Sequence, residues 1–402
     1  MNARTSRTVV AAALVLGIAA GPAVPALAAP GAPSGLPALS APSGLPAPDA
    51  PDAPDAEALR SALAGLPKDD ATAALVRVSG TGGAWRGSAG VHDLVSGRPA
   101  DPDGRFRAGS VTKVFTAAVV LQLAGEGRVG LDAPVRRYLP DLVPAAYGAV
   151  TVRQLLDHTS GIPSVGGGGE LEDWYAHRFD PHDPARAVRE ATSREPDFAP
   201  GTQQHYDNIG YTVAGLLIER VTGDAYASEV SRRILEPLRL KDTYFPGADP
   251  TIRGPHNRGY QIFGGGELRD VTVWGATDAW AAGDLISTTA DLERFTRALF
   301  GGRVVRGPLL EAMFTLPGAS VREYGTGEPA AYSAGLSVMR LGGREVWGKT
   351  GGRWGYNTVL AATRDLSRTL VYSVNSTDAK GEGMNPTALG IVVAAFGAPS
   401  AG

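Results

Sequence analysis

The sequence predicts an α+β domain, in which helices pack against an antiparallel sheet whose strands come from both ends of the chain. Strand-like patterns occur at residues 73–78 and 83–91 and return between residues 332 and 375. The intervening region, from about residue 128 to 280, has the patterns of helices and long loops. We therefore expect one sheet built by the two ends of the chain, with an inserted, mostly helical region beside it.

Hydrophobic periodicity places the elements in chain order. A helical pattern at residues 56–66 opens the domain, and an apolar run at residues 114–123 predicts a second helix that begins at or just before Ser110. In the inserted region, a turn at residues 200–202 precedes a helix whose apolar residues stand at positions 209, 213, 216, 217, 218 and 221. Strands are predicted at residues 332–339, 345–349, 356–363 and 369–375, and a helix at residues 387–395 closes the domain.

A serine and a lysine three residues apart, Ser110 and Lys113, stand at the start of the second predicted helix. Residues three apart lie on one face of a helix, so the Lys113 ammonium is expected beside the Ser110 hydroxyl. A serine hydroxyl becomes a good nucleophile when a neighbouring group takes its proton. The helix N-terminus also carries partial positive charge, which favours an oxyanion there. The pair therefore predicts a nucleophilic serine, for which the ordinary alternative is a helix cap.

Two further motifs follow in order along the chain, and each occurs once. A Tyr-x-Asn motif at residues 206–208 lies between a turn and a helical pattern, and a Lys-Thr-Gly motif at residues 349–351 ends a strand. Two of the five lysines in the chain, Lys113 and Lys349, fall in the proposed site. Lysine can lose its proton when it is desolvated, whereas arginine cannot, so this use of lysine suits proton transfer.

The three motifs in this order resemble those of class C β-lactamases and of the secreted D-alanyl-D-alanine carboxypeptidases and esterases related to them. Residues 106–139 (FRAGSVTKVFTAAVVLQLAGEGRVGLDAPVRRYL) are similar to that carboxypeptidase group throughout, as are residues 151–161, 200–223 and 281–295. The similarity covers residues 57–398, which we assign to one serine hydrolase domain. It implies the serine β-lactamase-like fold, with the active site between the sheet and the helical region.

The resemblance also implies a role for each motif residue. Ser110 is the nucleophile, and the general base is either Lys113 or Tyr206, whose phenolate two nearby ammonium groups would favour. The backbone N–H groups of Ser110 and Gly352 would form the oxyanion hole. Asn208 would donate to a substrate carbonyl and to Lys113. The implied catalytic residues are Ser110, Lys113 and Tyr206, and the implied substrate-binding residues are Asn208, Lys349, Thr350, Gly351 and Gly352, of which Lys349 and Thr350 would hold a carboxylate.

Two departures from the carboxypeptidase pattern bear on the substrate. Lys349 stands where those enzymes usually have histidine, and Asp207 adds a carboxylate that could disfavour anionic substrates. The first hypothesis is an exported hydrolase that cleaves D-alanyl-D-alanine peptides through an acyl-enzyme. A class C-like β-lactamase and an esterase or D-amino-acid amidase are alternatives with the same acylation step. A catalytically silent penicillin- or peptidoglycan-binding protein is a hypothesis of a different class.

The first 56 residues are expected to lie outside the hydrolase domain. Two arginines, an apolar run at residues 9–20 and the tripeptide Ala-Leu-Ala at residues 26–28 predict a signal peptide over residues 1–28, and hence a secreted protein. Residues 29–56 are rich in proline and alanine, which predicts a linker. The alternative is a pro-segment that touches the site.

Composition excludes several classes of protein. The formal net charge is −3 and no basic stripe is present, so no nucleic-acid partner is predicted. The terminal apolar runs are shorter than the ~20 residues of a spanning helix, so no membrane anchor is expected after cleavage. The chain has no cysteine and its histidines show no metal-ligand spacing, so neither disulfides nor a metal or cofactor are predicted. The expected partners are small-molecule or peptide substrates, such as D-Ala-D-Ala peptides and β-lactams, and a monomer is expected.

Overall fold

The computed structural model describes residues 53–165, 170–275, 279–381 and 383–397. The predicted signal peptide, most of the predicted linker and the glycine run at residues 166–169 lie outside these residues. The described part of the chain contains ten α-helices and twelve β-strands. The helices are α1 (Ala56–Leu63), α2 (Thr112–Gly125), α3 (Val152–Leu156), α4 (Leu171–Ala176), α5 (Pro184–Thr192), α6 (Ile209–Thr222), α7 (Tyr226–Val230), α8 (Thr289–Phe300), α9 (Pro308–Glu311) and α10 (Pro386–Phe396). The strands are β1 (Ala71–Gly80), β2 (Gly83–Gly90), β3 (Phe106–Arg107), β4 (Gln203–Gln204), β5 (Tyr260–Ile262), β6 (Leu268–Asp270), β7 (Ile286–Ser287), β8 (Arg322–Glu323), β9 (Ser337–Leu341), β10 (Arg344–Arg353), β11 (Tyr356–Thr363) and β12 (Arg368–Ser376).

Six strands form the main sheet in the order β2-β1-β12-β11-β10-β9. Every neighbouring pair is antiparallel. The N-terminal strand β1 pairs with the C-terminal strand β12 along most of its length, from Ala71 opposite Ser376 to Gly80 opposite Arg368. The predicted sheet with strands from both ends of the chain is therefore confirmed.

Helices cover both faces of this sheet, because successive side chains of a strand point to opposite faces. In β11, Val359 and Ala361 join a core that contains residues of α1 and α10. The alternate residues Leu360 and Ala362 join a larger core that contains residues of α2, α6 and α8. The helical region therefore packs on one face only, and the terminal helices close the other.

Helix α2 lies at the centre of the larger core. Eleven of its fourteen residues are buried, which is expected of a helix that is apolar on every side. The exception in chemistry is Lys113, which is fully buried. A 3₁₀ turn, Gly109–Val111, leads directly into the helix, so Ser110 lies at its very start, as the motif predicts.

Short elements differ from the sequence prediction. The opening helix ends at Leu63 instead of residue 66, since Gly65 takes a left-handed φ of 79°. The inserted region also contains a small hairpin of β5 and β6 that the periodicity does not predict. Strands of two or three residues contain too few alternations to give a pattern. None of the helices in the described ranges is long and apolar enough to cross a membrane.

Candidate active site

The backbone before Ser110 is fixed against the end of strand β10. The Thr358 hydroxyl on β11 donates to the Ala108 carbonyl over 2.8 Å. A Cβ on Gly351 would lie 2.0 Å from the same carbonyl, so this approach requires glycine. Gly109 has a φ of 52°, and a Cβ there would lie 2.8 Å from the Gly352 nitrogen. Two glycines thus allow the third motif to pack directly against the turn that carries the serine.

The Lys113 amine joins the first motif to the second. Its Nζ lies 3.2 Å from Ser110 Oγ, 2.7 Å from Asn208 Oδ1 and 2.9 Å from the Ala282 carbonyl. Asn208 accepts a hydrogen bond from Lys113, so the expectation that its side chain donates to this lysine is wrong. A lysine has no acceptor to offer while it is charged. Asn208 makes no capping hydrogen bond with its side chain, although it precedes α6.

Burial lowers the pKa of Lys113 well below its usual range, and the Lys349 ammonium lowers it further, whereas the Asp207 carboxylate opposes these effects. A neutral amine has two N–H groups and one lone pair. If the two N–H groups are donated to Asn208 and to the Ala282 carbonyl, the lone pair is directed at Ser110. The environment of Lys113 therefore suits a general base.

Tyr206 lies between the two lysines of the motifs. The Lys113 Nζ is 5.0 Å, and the Lys349 Nζ 4.6 Å, from the centroid of its ring. Burial raises the pKa of the Tyr206 phenol above its usual range, and a hydrogen bond with Ser110 offsets this only in part. Desolvation therefore acts against the expected phenolate, and the amines of Lys113 and Lys349 lie over the aromatic ring of Tyr206.

Two buried polar residues, His158 and Asp207, lie next to Tyr206. The His158 ring centroid is 4.7 Å from that of Tyr206, and the Asp207 N–H donates to His158 Nδ1 over 3.3 Å. The Asp207 carboxylate accepts from the Gly210 N–H over 2.5 Å and is buried, so it stabilises the start of α6. Its charge still acts on Lys113 and Tyr206, and the expectation that it disfavours anionic substrates stays a prediction.

The third motif lies in the part of β10 that extends beyond its pairing with β9, which ends at Gly348. The Lys349 side chain is buried, and its Nζ donates to the Thr350 carbonyl over 2.9 Å. Burial first, and then the Lys380 ammonium, lower the pKa of Lys349 to about 7. Thr350 is exposed beside it. Gly351 and Gly352 contact the serine turn as described above. The structure therefore brings seven of the eight predicted site residues together at Ser110. The exception is Thr350, which lies opposite Val359, so its side chain is directed to the face of the sheet that α1 and α10 cover.

Two neighbours of the site are missing from the three motifs. The Tyr332 ring centroid lies 5.2 Å from that of Tyr206, and the Lys349 Nζ lies 5.9 Å from the Tyr332 centroid. Lys380 donates to the Gly352 carbonyl over 2.8 Å. The scarcity of lysine is the signal that could have indicated Lys380, whereas nothing in the local sequence marks Tyr332.

The comparison with protein families identifies the chain. The family described as Beta-lactamase matches residues 56–393, which is most of the sequence. The chain belongs to the Beta-lactamase family. Among solved structures, a D-stereospecific amidohydrolase from Streptomyces sp. is 33% identical, with a TM-score of 0.73, and the match covers 85% of this chain and 99% of that one. The fold is therefore the serine β-lactamase fold, as the motifs imply.

The other proteins that this chain resembles carry names that describe different activities. D-amino acid amidase from Ochrobactrum anthropi SV3, solved with D-phenylalanine, is 25% identical, with a TM-score of 0.70 and a match that covers 84% of this chain and 97% of that one. Esterase EstB of Burkholderia gladioli is 36% identical over 41% of this chain, and penicillin-binding protein 4* of Bacillus subtilis (strain 168) is 26% identical over 72% of it. The matches span 45% and 64% of these two proteins, less than two thirds of either.

Proposed function

We propose that this protein is an exported serine hydrolase that forms an acyl-enzyme on Ser110 and cleaves peptides ending in D-alanyl-D-alanine. The geometry of Lys113 carries the proposal. Its amine lies 3.2 Å from Ser110 Oγ, is fully buried and has a lowered pKa. A neutral amine in this position can take the serine proton.

The reaction begins when Ser110 Oγ attacks the carbonyl carbon of the scissile bond and its proton passes to Lys113. The N–H groups of Ser110 and Gly352 stabilise the resulting oxyanion, an arrangement in which one donor contributes ~2.7–4 kcal/mol. The Tyr206 phenol is protonated at this stage. It donates its proton to the leaving nitrogen and takes a proton from Lys113. The C–N bond breaks and the acyl group remains on Ser110. Water, deprotonated by the same groups, then hydrolyses the acyl ester and restores the serine.

The charges at the site support a substrate with a carboxylate on its leaving group. The Lys113 and Lys349 amines lie over the ring of Tyr206, near Ser110. Burial first, and then the charge of a neighbouring lysine, lower the pKa of each. A nearby anion would stabilise the protonated form of Lys349. The C-terminal D-alanine of a D-alanyl-D-alanine peptide provides such a carboxylate close to the scissile amide.

A D-amino-acid amidase or esterase is the second candidate. The 33% identity to a D-stereospecific amidohydrolase over 99% of that chain supports it. The amine leaving group of an amino acid amide is ammonia, which has no carboxylate. Such a substrate would use Ser110 and Lys113 in the same way but would depend little on Lys349.

Product analysis separates the two candidates. We expect the wild-type protein to release D-alanine from N-acetyl-D-alanyl-D-alanine faster than it releases ammonia from D-phenylalanine amide, and to act slowly on the L-enantiomers. Faster ammonia release would favour the amidase. Rapid turnover of penicillin, with a transient adduct seen by mass spectrometry, would favour a β-lactamase. Binding with neither an adduct nor a product would indicate a catalytically silent protein.

Two serine variants test the nucleophile. Ser110→Ala should lower turnover by at least ~10³-fold and abolish the covalent adduct of penicillin or a fluorophosphonate. Ser193→Ala, at an exposed position after α5, is the matched control and should keep both. An adduct that persists on another serine of the Ser110→Ala protein would overturn the assignment.

A further inference from the structure

Lys380 is a third lysine at the site, and it comes from a different part of the chain. It lies in the segment between β12 and α10, at residues 377–385, and is exposed. Its Nζ donates to the Gly352 carbonyl over 2.8 Å and lies 6.0 Å from the centroid of the Trp354 ring. It therefore stands at the end of β10, beside the residue whose N–H is assigned to the oxyanion hole.

Hydrogen bonds fix the two residues that precede Lys380. The Asn357 side chain on β11 donates to the Ala379 carbonyl over 3.0 Å, and the Ala379 N–H donates to Gln261 Oε1 over 3.2 Å. Gln261 Nε2 donates to the Asp378 carboxylate over 3.1 Å. The Asp378 carboxylate is thus bound by Gln261, and the backbone that leads into Lys380 is held by Asn357 and Gln261.

Lys349 and Lys380 donate to the same open edge of β10. Ser337, the first residue of β9, donates its hydroxyl to the Gly348 carbonyl, which therefore faces the β9 side. Carbonyls of residues two apart in a strand point to the same side, so the carbonyls of Thr350 and Gly352 face the same edge as that of Gly348. Strand β9 does not extend along this part of the edge, so β9 leaves both carbonyls unpaired. Each accepts from one lysine, and the two carbonyls are ~7 Å apart by strand geometry. Two ammonium groups thus flank the stretch of strand that lies against Ser110.

We infer that Lys380 is the second cationic arm of the carboxylate-binding subsite, and that Lys349 and Lys380 together select substrates whose leaving group ends in a carboxylate. The inference rests on the proposed acyl-enzyme function, which it deepens by naming what the subsite requires of the leaving group. Lys380 acts here as a specificity-determining residue. Ser110 and Lys113 carry out the same chemistry on neutral leaving groups.

The two lysines are also coupled through their charges. The titratable groups that interact with Lys349 are Lys113 on α2, His158 after α3, Tyr206 before α6, Tyr332 before β9 and Lys380 after β12. Lys380 contributes to holding the pKa of Lys349 at about 7, so its removal should let Lys349 keep its proton to higher pH. Loss of Lys380 is then uncompensated at acidic pH, where Lys349 is already charged, and partly compensated at alkaline pH.

A matched pair of esters tests the inference. N-acetyl-D-alanyl-D-lactate carries a carboxylate on the leaving group, and its C-terminal amide is neutral with the same scissile bond. In Lys380→Ala we expect kcat/KM for the carboxylate ester to fall ~10-fold near about pH 6, mainly through KM, and to fall less near about pH 8.5. The neutral ester should change less than ~2-fold, and Lys380→Arg should restore most of the preference because it keeps the charge.

Equal losses of kcat/KM on both esters, or a loss that does not depend on pH, would overturn the inference. Lys380 would then only hold the Gly352 backbone in position. If the wild-type protein hydrolyses neither ester, the proposed function fails, and equilibrium binding decides the inference separately. Ser110→Ala protein should then bind N-acetyl-D-alanyl-D-alanine more tightly than its C-terminal amide, and Lys380→Ala should remove most of that difference. An unchanged ratio of the two Kd values would overturn the inference on its own.

Discussion

The charge of Lys349 should decide how the preference of this site for carboxylate-bearing substrates responds to pH. Its pKa is lowered to about 7, so it is protonated below that value and loses its charge as the pH rises through it. The preference for carboxylate-bearing over neutral substrates should therefore be greatest in acid and decline above about pH 7. In Lys349→Ala we expect kcat/KM for N-acetyl-D-alanyl-D-alanine to fall at least ~10-fold near about pH 6, which is ~1.4 kcal/mol of transition-state binding.

The control at this position is Lys349→Arg, whose guanidinium stays charged throughout the accessible pH range. The carboxylate preference of this variant should no longer decline near neutral pH. The preference should be smaller than that of the wild-type protein, because the arginine side chain is longer. The measurement is the ratio of kcat/KM for the carboxylate and neutral substrates across the pH range, because effects on Lys113 cancel in the ratio. An alanine variant that loses the same factor on both substrates would show that Lys349 does not bind the carboxylate.

At the scale of elements, the contact between β10 and the serine turn aligns the catalytic groups. A Cβ on Gly351 would meet the Ala108 carbonyl at 2.0 Å, whereas a Cβ on Gly352 would meet its nearest atom, the Ala379 carbonyl, at 3.2 Å. We expect Gly351→Ala to push β10 away from Ser110, to lower the acylation rate by at least ~10² and to destabilise the protein by ~1–3 kcal/mol. Neighbouring Gly352→Ala is the matched control and should cost much less stability.

Thermal unfolding and the rate of penicillin acylation measure the two effects separately. If Gly351→Ala acylates at the wild-type rate, the packing of β10 on the turn does not determine the geometry of the site. If Gly352→Ala is equally unstable, the space around that glycine is tighter than the structure indicates.

The sequence predicts the long elements and the three motifs because their information is local. The strand predicted at residues 356–363 is observed as β11 with the same bounds, and Ser110 and Lys113 meet because they share one turn. The structure is needed where distant segments meet. Lys380 reaches Gly352 through the register of β12 and β11, and Tyr332 reaches Tyr206 through a loop, and neither pairing has a local signature. The raised pKa of Tyr206 depends on burial by such distant residues, which the spacing of the motifs cannot indicate.

At the scale of the whole molecule, the N-terminal residues are predicted to direct export. The apolar run at residues 9–20 and the tripeptide Ala-Leu-Ala at residues 26–28 indicate cleavage that leaves Ala29 as the first residue. We expect N-terminal sequencing of protein collected from the culture medium to begin at or near Ala29. Secreted protein that still begins with Met1 would contradict the assignment of a cleaved signal peptide.

The role of the segment before the domain can be tested by where a shortened chain begins. Helix α1 belongs to the fold, because Leu59 and Leu63 are buried in the core beneath α10 and Asp55 caps the helix by accepting from the Glu57 and Ala58 N–H groups. A chain that begins at residue 53 keeps these contacts, and we expect it to unfold at the same temperature and to be acylated at the same rate as the secreted protein. A chain that begins at residue 69 loses both leucines, each of which contributes ~1.5–3 kcal/mol through burial, and it should unfold at a markedly lower temperature.

A pro-segment that touches the site would instead change the acylation rate when residues 29–52 are removed, while the unfolding temperature of the domain stays the same. Measuring both quantities on the chain that begins at residue 53 therefore distinguishes a linker, whose removal changes neither, from a segment that regulates Ser110.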